Sequence, residues 1–284
     1  MAVTSTPHIA LVGGGYTLQH LAEKLPAKSF VITSRAESTC ARWLRRGWLA
    51  HRLDISDPGA IKGLFQTYPA ITHLIDSVPP LREGIDCARG VKNVAAALAT
   101  TQVKQVVYLS TTGVFGVRDG SWVDETTPPN PWNAQGRARF DCELAYRSSG
   151  RPVCAFRLPA IYGPDRGVAQ SIRQGTYRMV GSGEAWTNRI HVEDLAVALE
   201  RALGAKDLPD ILCVSDDAPS LAKDVVAFVC AALKMPGPPS ISEAEAIRQG
   251  AYTMLSNQRI CNALMKKTLG LQLRYPSYQE GFIL

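Results

Sequence analysis

Short apolar, β-branched runs alternate with segments of helical periodicity through the first half of the chain. That alternation predicts a parallel sheet joined by crossover helices. Residues 8–12, 30–33 and 48–53 read as the first three strands, with helices over 17–25, 40–46 and 58–68, and a fourth strand follows at 71–75. Residues 84–101 read as a long helix because Val91, Val94, Ala95 and Leu98 recur at helical spacing. Residues 103–109 give the fifth strand. The grammar then changes: residues 113–131 hold glycines, prolines and acidic residues without a period, which predicts a loop over the carboxyl edge of the sheet.

A helix over 134–148 and a sixth strand at 153–158 restore the alternation. Beyond Ile161 the pattern loosens around Gly163, Gly167, Gly175, Gly181 and Gly183, before a helix over 192–203 and a seventh strand at 211–214. Two or three more helices are expected after it, with residues 257–269 packing through Ile260, Leu264 and Met265. The expected architecture is α/β: a doubly wound parallel sheet of about seven strands. Residues 1–160 form the nucleotide-binding domain, and residues 161–284 a smaller substrate lobe interleaved with the last sheet strands near 190–215.

Composition narrows the class. Of 284 residues, 46% are hydrophobic and 20% charged, enough to bury a large core, which excludes a disordered or disulfide-stapled chain. Lys plus Arg number 31 against 25 acidic residues, a net +6 that favours an anionic partner. A dinucleotide satisfies it as well as a nucleic acid. No apolar run approaches the roughly eighteen residues of a membrane span, and residues 1–7 lack the basic start and apolar stretch of a secretory signal. A cytoplasmic protein without membrane or nucleic-acid partners is expected. The seven cysteines are scattered without a Cys-x-x-Cys pair or histidines at ligand spacing, so no metal is expected and the thiols read as reduced.

The strongest motif is Gly13-Gly14-Gly15, directly after the first strand and before a helix. A glycine turn there lets backbone amides reach a pyrophosphate, with Gly13, Gly15, Tyr16 and Thr17 at the binding edge. In the G-x-G-x-x-G frame the third glycine is Leu18, which predicts a slightly displaced helix. At the end of the second strand, where a carboxylate would hold the ribose of NAD, the sequence reads Thr33-Ser34-Arg35. Ser34 and Arg35 suit a 2′-phosphate, so NADP(H) is the expected cofactor and NAD(H) the alternative. Ser77 and Val78, before two prolines, place backbone beside the nicotinamide side of the cleft.

Several further motifs accompany the glycine turn: Asp54-Ile55-Ser56-Asp57, Ser110 to Gly116, Arg157 to Pro164, and Arg189 to Leu195. With them the chain resembles the extended branch of the short-chain dehydrogenase/reductase family, the NAD-dependent epimerase/dehydratase group, over nearly its whole length. The resemblance implies a Rossmann-type fold, with Asp54 and Ile55 against adenine and Pro159 in the cofactor-binding set. It also implies a possible homodimer through the helices over 84–101 and 134–148.

The family's reductases use a Tyr-x-x-x-Lys pair. Aligning Glu143 and Gly136 with the residues that flank that pair puts Gln135 in the tyrosine's place and Arg139 in the lysine's, with Thr111 as the substrate-orienting hydroxyl. Glutamine cannot deliver a proton at neutral pH, and arginine does not give one up. Asp124, Glu125 or His191 could supply the acid, or could be a turn residue, a turn cap and a hydrogen-bonded core residue, as Asp194 could be a helix cap. Arg42, Arg45 and Arg46 beside Trp43 and Trp48 fit a solvated face with buried rings better than a basic patch. Arg151, Arg166, Arg173 and Arg178 suit either an anionic substrate or ordinary surface charge. Two functions stay open: an atypical oxidoreductase or epimerase/dehydratase with a non-standard proton donor acting on an unknown small molecule, and an inactive NADP(H)-binding regulatory protein.

Overall fold

The computed structural model describes residues 6–79, 81–82 and 85–282, with no side-chain detail for 81, 82 and 85–88. Pro80, the second proline after Val78, and residue 84, where the helix over 84–101 is expected to start, lie outside the described residues. The sheet has seven strands: β1 (Ile9–Val12), β2 (Phe30–Ser34), β3 (Leu49–Arg52), β4 (His73–Asp76), β5 (Gln105–Thr111), β6 (Val153–Leu158) and β7 (Ile211–Cys213). Their order is β7-β6-β5-β4-β1-β2-β3, so the expected doubly wound, Rossmann-type fold is present.

β1 pairs in parallel with both β2 and β4, and all four of its residues are buried. A strand covered on both faces must be continuously apolar, which is why Ile9 to Val12 shows no alternation. β3 ends the sheet and keeps one neighbour, so His51 and Arg52 are tolerated there. Between strands run α1 (Tyr16–Lys24), α2 (Glu37–Arg45), α3 (Pro58–Thr67), α4 (Cys87–Ala97), α5 (Ala134–Arg147) and α6 (Val192–Gly204). α3 starts as its sequence dictates, with Pro58 in the first turn and the Asp57 carboxylate accepting from Gly59 N at 2.7 Å. The helix read over 84–101 is shorter: two-residue strands occupy Leu81–Arg82 and Ile85–Asp86, and Leu98–Thr100 tightens to a 3₁₀ turn.

The chain divides into two compact units. The first comprises residues 1–110, 137–156 and 196–211. Its core joins β1, β2 and β4 residues Ala10, Val31 and Leu74 to helix residues Ile61, Val94 and Tyr146.

The second unit comprises residues 111–136, 157–195 and 212–284. It is built from short pairings: Ala160–Tyr162 with Arg189–His191, Trp186–Thr187 with Ser220–Leu221, and Trp122–Val123 with Arg259–Ile260. The last pair replaces half of the helix read over 257–269, of which only Ala263–Leu269 is helical. Polar side chains decide this. Asn257 Oδ1 accepts from Trp186 N at 2.8 Å and Asn262 Nδ2 donates to Ser215 O at 2.9 Å, bonds that compete with a helix. Among the described residues, no helix is long and apolar enough to cross a membrane.

Candidate cofactor and active site

β1 ends at Val12, and β4 at Asp76, side by side in register. The chain leaves β1 and β4 for opposite sides of the sheet, and such a switch point is where open α/β sheets bind ligands. Gly13 takes φ +77°, and a Cβ on it would lie 2.7 Å from Val78 Cγ2. A Cβ on Gly14 would meet the Trp43 ring at 2.4 Å. The close packing that Leu18 denies to the third glycine position is therefore achieved at Gly14, while Leu18 is fully buried in the core. Gly15 caps α1 and is exposed, its nearest neighbour to an added Cβ being Gly13 O at 3.8 Å. The first turn of α1 has no acidic residue, and Gly15 makes no side-chain cap. The positive end of the helix is thus left open at Gly15, without a side-chain cap. Thr17 is buried, and the half-buried Tyr16 ring stands edge-on to His20 at 4.8 Å.

The loop after β4 grips this turn. Ser77 Oγ donates to Gly13 O at 2.5 Å, and Ser77 N to Val12 O at 3.0 Å. Asp76, fully buried, fixes the next residue but one by accepting from Val78 N at 2.8 Å, and its other oxygen accepts from Tyr146 OH at 2.5 Å. Burial pushes the Asp76 carboxyl up to about 6, against the pull of the Tyr146 hydroxyl, the Val78 amide and Arg139. Arg139 Nη1 contacts Val78 O at 3.2 Å, Tyr108 OH at 3.0 Å and Leu109 O at 2.8 Å. Arg139 is thereby clamped to two backbone carbonyls and a phenol. Beside it, Ser110 Oγ donates to the buried Glu143 carboxylate at 2.5 Å.

At the tip of β2, Ser34 is paired in register with Arg52 of β3. Ser34 Oγ accepts from Ala36 N at 3.2 Å, and Arg52 Nε donates to Arg35 O at 3.3 Å. Arg35 and Arg52 are both exposed. Asp54 lies near enough that, after the Ser56 amide and hydroxyl, Arg35 and Arg52 help hold its carboxyl below the usual range. Ile55 is buried and covers Gly90, where a Cβ would sit 2.6 Å from Ile55 Cγ1. Sequence reading missed Arg52 and the Asp76–Tyr146 pair. The parallel register of β2 with β3 was the available signal for the first; nothing local signalled the second.

In the second unit Thr111 and Pro159 are half-buried, and Gln135 is exposed. Thr111 Oγ1 accepts from Gly113 N at 3.2 Å, starting a 3₁₀ turn. The candidate acids all have structural work. Asp124 Oδ1 accepts from the Thr126 hydroxyl at 2.6 Å and the Thr126 amide at 2.9 Å, and the two bonds hold its carboxyl below the ordinary range. Glu125 Oε1 accepts from Cys213 N at 2.7 Å. His191 is buried, with Nδ1 accepting from Glu193 N at 3.2 Å and its ring 3.8 Å from that of Tyr275. Asp194 accepts from the amides of Arg274 and Tyr275, both at 2.9 Å, rather than capping its own helix. Tyr162 is buried, with its hydroxyl donating to Ser277 O at 3.2 Å.

The scattered arginines resolve similarly. Arg46 lies over the Trp48 ring at 4.3 Å and pairs with Glu23 at 2.8 Å, while Trp43 is fully buried, the arrangement of a solvated face with buried rings. Arg151 Nη2 donates to Leu98 O at 2.9 Å, and Arg178 Nη1 to Gly175 O and Tyr177 O, both at 2.8 Å.

A family model described as the NAD dependent epimerase/dehydratase family matches residues 9–214. Among solved structures, a functionally unknown conserved protein from Silicibacter pomeroyi DSS is 31% identical, with 96% of this chain and 95% of that one covered at a TM-score of 0.79. UDP-glucose 4-epimerase of Thermus thermophilus, in complex with NAD, is 20% identical, with 96% of each chain covered at a TM-score of 0.77. A curated relative, the uncharacterized protein y4nG of Sinorhizobium fredii, is 27% identical over 167 residues, 54% of this chain and 42% of that protein. The alignments span 42% and 35% of the lengths of the first two curated relatives.

Proposed function

Since the chain belongs to the NAD dependent epimerase/dehydratase family, we propose that it binds a nicotinamide dinucleotide at the carboxyl ends of β1 and β4. On this reading it is an atypical oxidoreductase or epimerase/dehydratase-like enzyme for a small substrate. The observation that carries this is the turn at Gly13 and Gly14, where no Cβ fits, opening at Gly15 onto the uncapped start of α1. Tyr16 and Thr17 complete the pyrophosphate edge, Asp54 and Ile55 flank adenine, and Ser77 and Val78 border the nicotinamide half. Ser34, Arg35 and Arg52 favour a 2′-phosphate: two exposed guanidinium groups and a hydroxyl meet at one strand tip, without a carboxylate on β2.

The bound nicotinamide supplies hydride exchange. The chain's part is to orient the substrate and handle charge: Thr111 and Gln135 offer hydrogen bonds to a substrate oxygen, and Arg139 is a fixed cation. Neither Gln135 nor Arg139 exchanges a proton at neutral pH, so the proton travels by a non-standard donor. A second reading, a catalytically silent dinucleotide-binding regulator, gains from the structural employment of Asp124, Glu125 and His191.

Isothermal titration with NADPH and NADH tests the binding. Wild type is expected to prefer NADPH, and Arg35→Ser or Arg52→Ser to weaken NADPH by about tenfold or more while sparing NADH, the effect of one charge-assisted contact. Binding of neither cofactor overturns the assignment, and equal weakening of both removes the arginines from it. Hydride exchange between bound cofactor and any member of a nucleotide-sugar panel selects the enzyme over the regulator.

A further inference from the structure

We propose that the first unit carries a second ligand site, at the amino ends of its strands, for a small organic anion: a carboxylate or phosphate ester on a compact apolar body. A cavity of about 330 Å³ opens there, bordered by the starts of β4, β5 and β6 and by the segment that follows α6. That volume is within the range of small-molecule sites, about 300–1,000 Å³. Its floor is apolar, with Val153 and Cys154 buried and Leu203 and Leu208 half-buried. Its charged lining is one-sided: Lys104 and Lys206 contribute, and no carboxylate does.

The walls are tied in place. Gln105 Nε2 donates to Ala202 O at 3.1 Å, fastening β5 to the last turn of α6, and the His73 ring is held by the Thr72 hydroxyl at 2.9 Å. Burial, then His8 and Lys104, push the His73 imidazole below its ordinary pKa. One effect opposes an anion, the carbonyl end of α6, which carries about half a negative charge. The lining sets two ammonium groups against it. The cavity is separate from the glycine turn: Ile9 pairs with His73 at one end of β1, and Val12 with Asp76 at the other. Three residue steps along a strand place them roughly 10 Å apart. The inference rests on this geometry and not on the dinucleotide assignment.

Titration of the full chain with phenyl phosphate, benzoate and the neutral benzyl alcohol tests it. The two anions are expected to saturate one site and to bind at least about tenfold more tightly than benzyl alcohol, the worth of a charge-assisted contact. Their ranking identifies the preferred headgroup. Lys104→Ser with Lys206→Ser, both exposed positions, is expected to erase that advantage, while Arg35→Ser with Arg52→Ser leaves it intact. Equal affinity for anion and alcohol, an unchanged affinity in the lysine variant, or an affinity that follows the arginine pair would overturn the proposal.

Discussion

Asp76 in the first unit and Asp216 in the second are both buried, and they are housed differently. Asp76 in the first unit uses both oxygens, one on the Val78 amide and one on the Tyr146 hydroxyl. Asp216 in the second unit is 1% exposed and accepts from Ala218 N at 3.3 Å, but its Oδ2 has no hydrogen-bond partner among the described residues. The same holds for Nη1 of Arg189, a buried guanidinium whose Nη2 donates to Thr187 Oγ1 at 2.6 Å. Burial raises both carboxyls, Asp76 to about 6 and Asp216 to about 7. One network is closed by hydrogen bonds and shapes a loop; the other is balanced by the charge of Arg189. A closed network should respond to loss of geometry, a charge-balanced one to loss of charge.

The largest expected effect is therefore in the second unit. Arg189→Met leaves the buried Asp216 carboxylate without the cation that lowers its pKa and should cost roughly 3–5 kcal/mol at pH 8, the usual penalty for an uncompensated buried charge. The loss should shrink near pH 6, where Asp216 takes up a proton. Denaturant titration at the two pH values checks this, and a pH-independent loss would show that the guanidinium serves packing alone.

Next comes Asp76. Its folded pKa, about 6, exceeds the ordinary 3.8, so its contribution is fully present only below the ordinary value and is lost as pH rises through 6. Asp76→Asn removes that proton uptake. The stability difference between variant and wild type should move in favour of the variant by roughly 3 kcal/mol in all from about pH 3 to 7, roughly 2 kcal/mol of it between pH 4 and 6, and then level off. A difference that stays constant over this range would refute the raised pKa. The smallest effect belongs to Tyr146→Phe, which leaves one Asp76 oxygen without its donor and should cost about 1–3 kcal/mol at neutral pH. Thermal unfolding measures it, and a neutral result would mean that the network is not closed by this bond.

The same contrast governs what was legible beforehand. In the first unit most strands and helices carry a local signal, an apolar run or a helical period, so β1, β2, β3 and the glycine turn stand within a residue or two of their expected bounds. In the second unit Trp122–Val123 pairs with Arg259–Ile260, far along the chain. A two-residue strand has no period to read. Among the site residues, the strand-tip arginine was visible because a missing carboxylate has local meaning. The burial of Asp76 was invisible, because its partner Tyr146 lies seventy positions away and only the folded chain joins them.

The contact between Trp43 and Gly14 has an optical consequence. An indole packed against the turn that would cradle a pyrophosphate is a built-in reporter, since reduced nicotinamide absorbs where indole emits. Replacing the other four tryptophans of the chain with phenylalanine would leave a protein whose emission at that one ring dims as the dinucleotide docks, with no label attached.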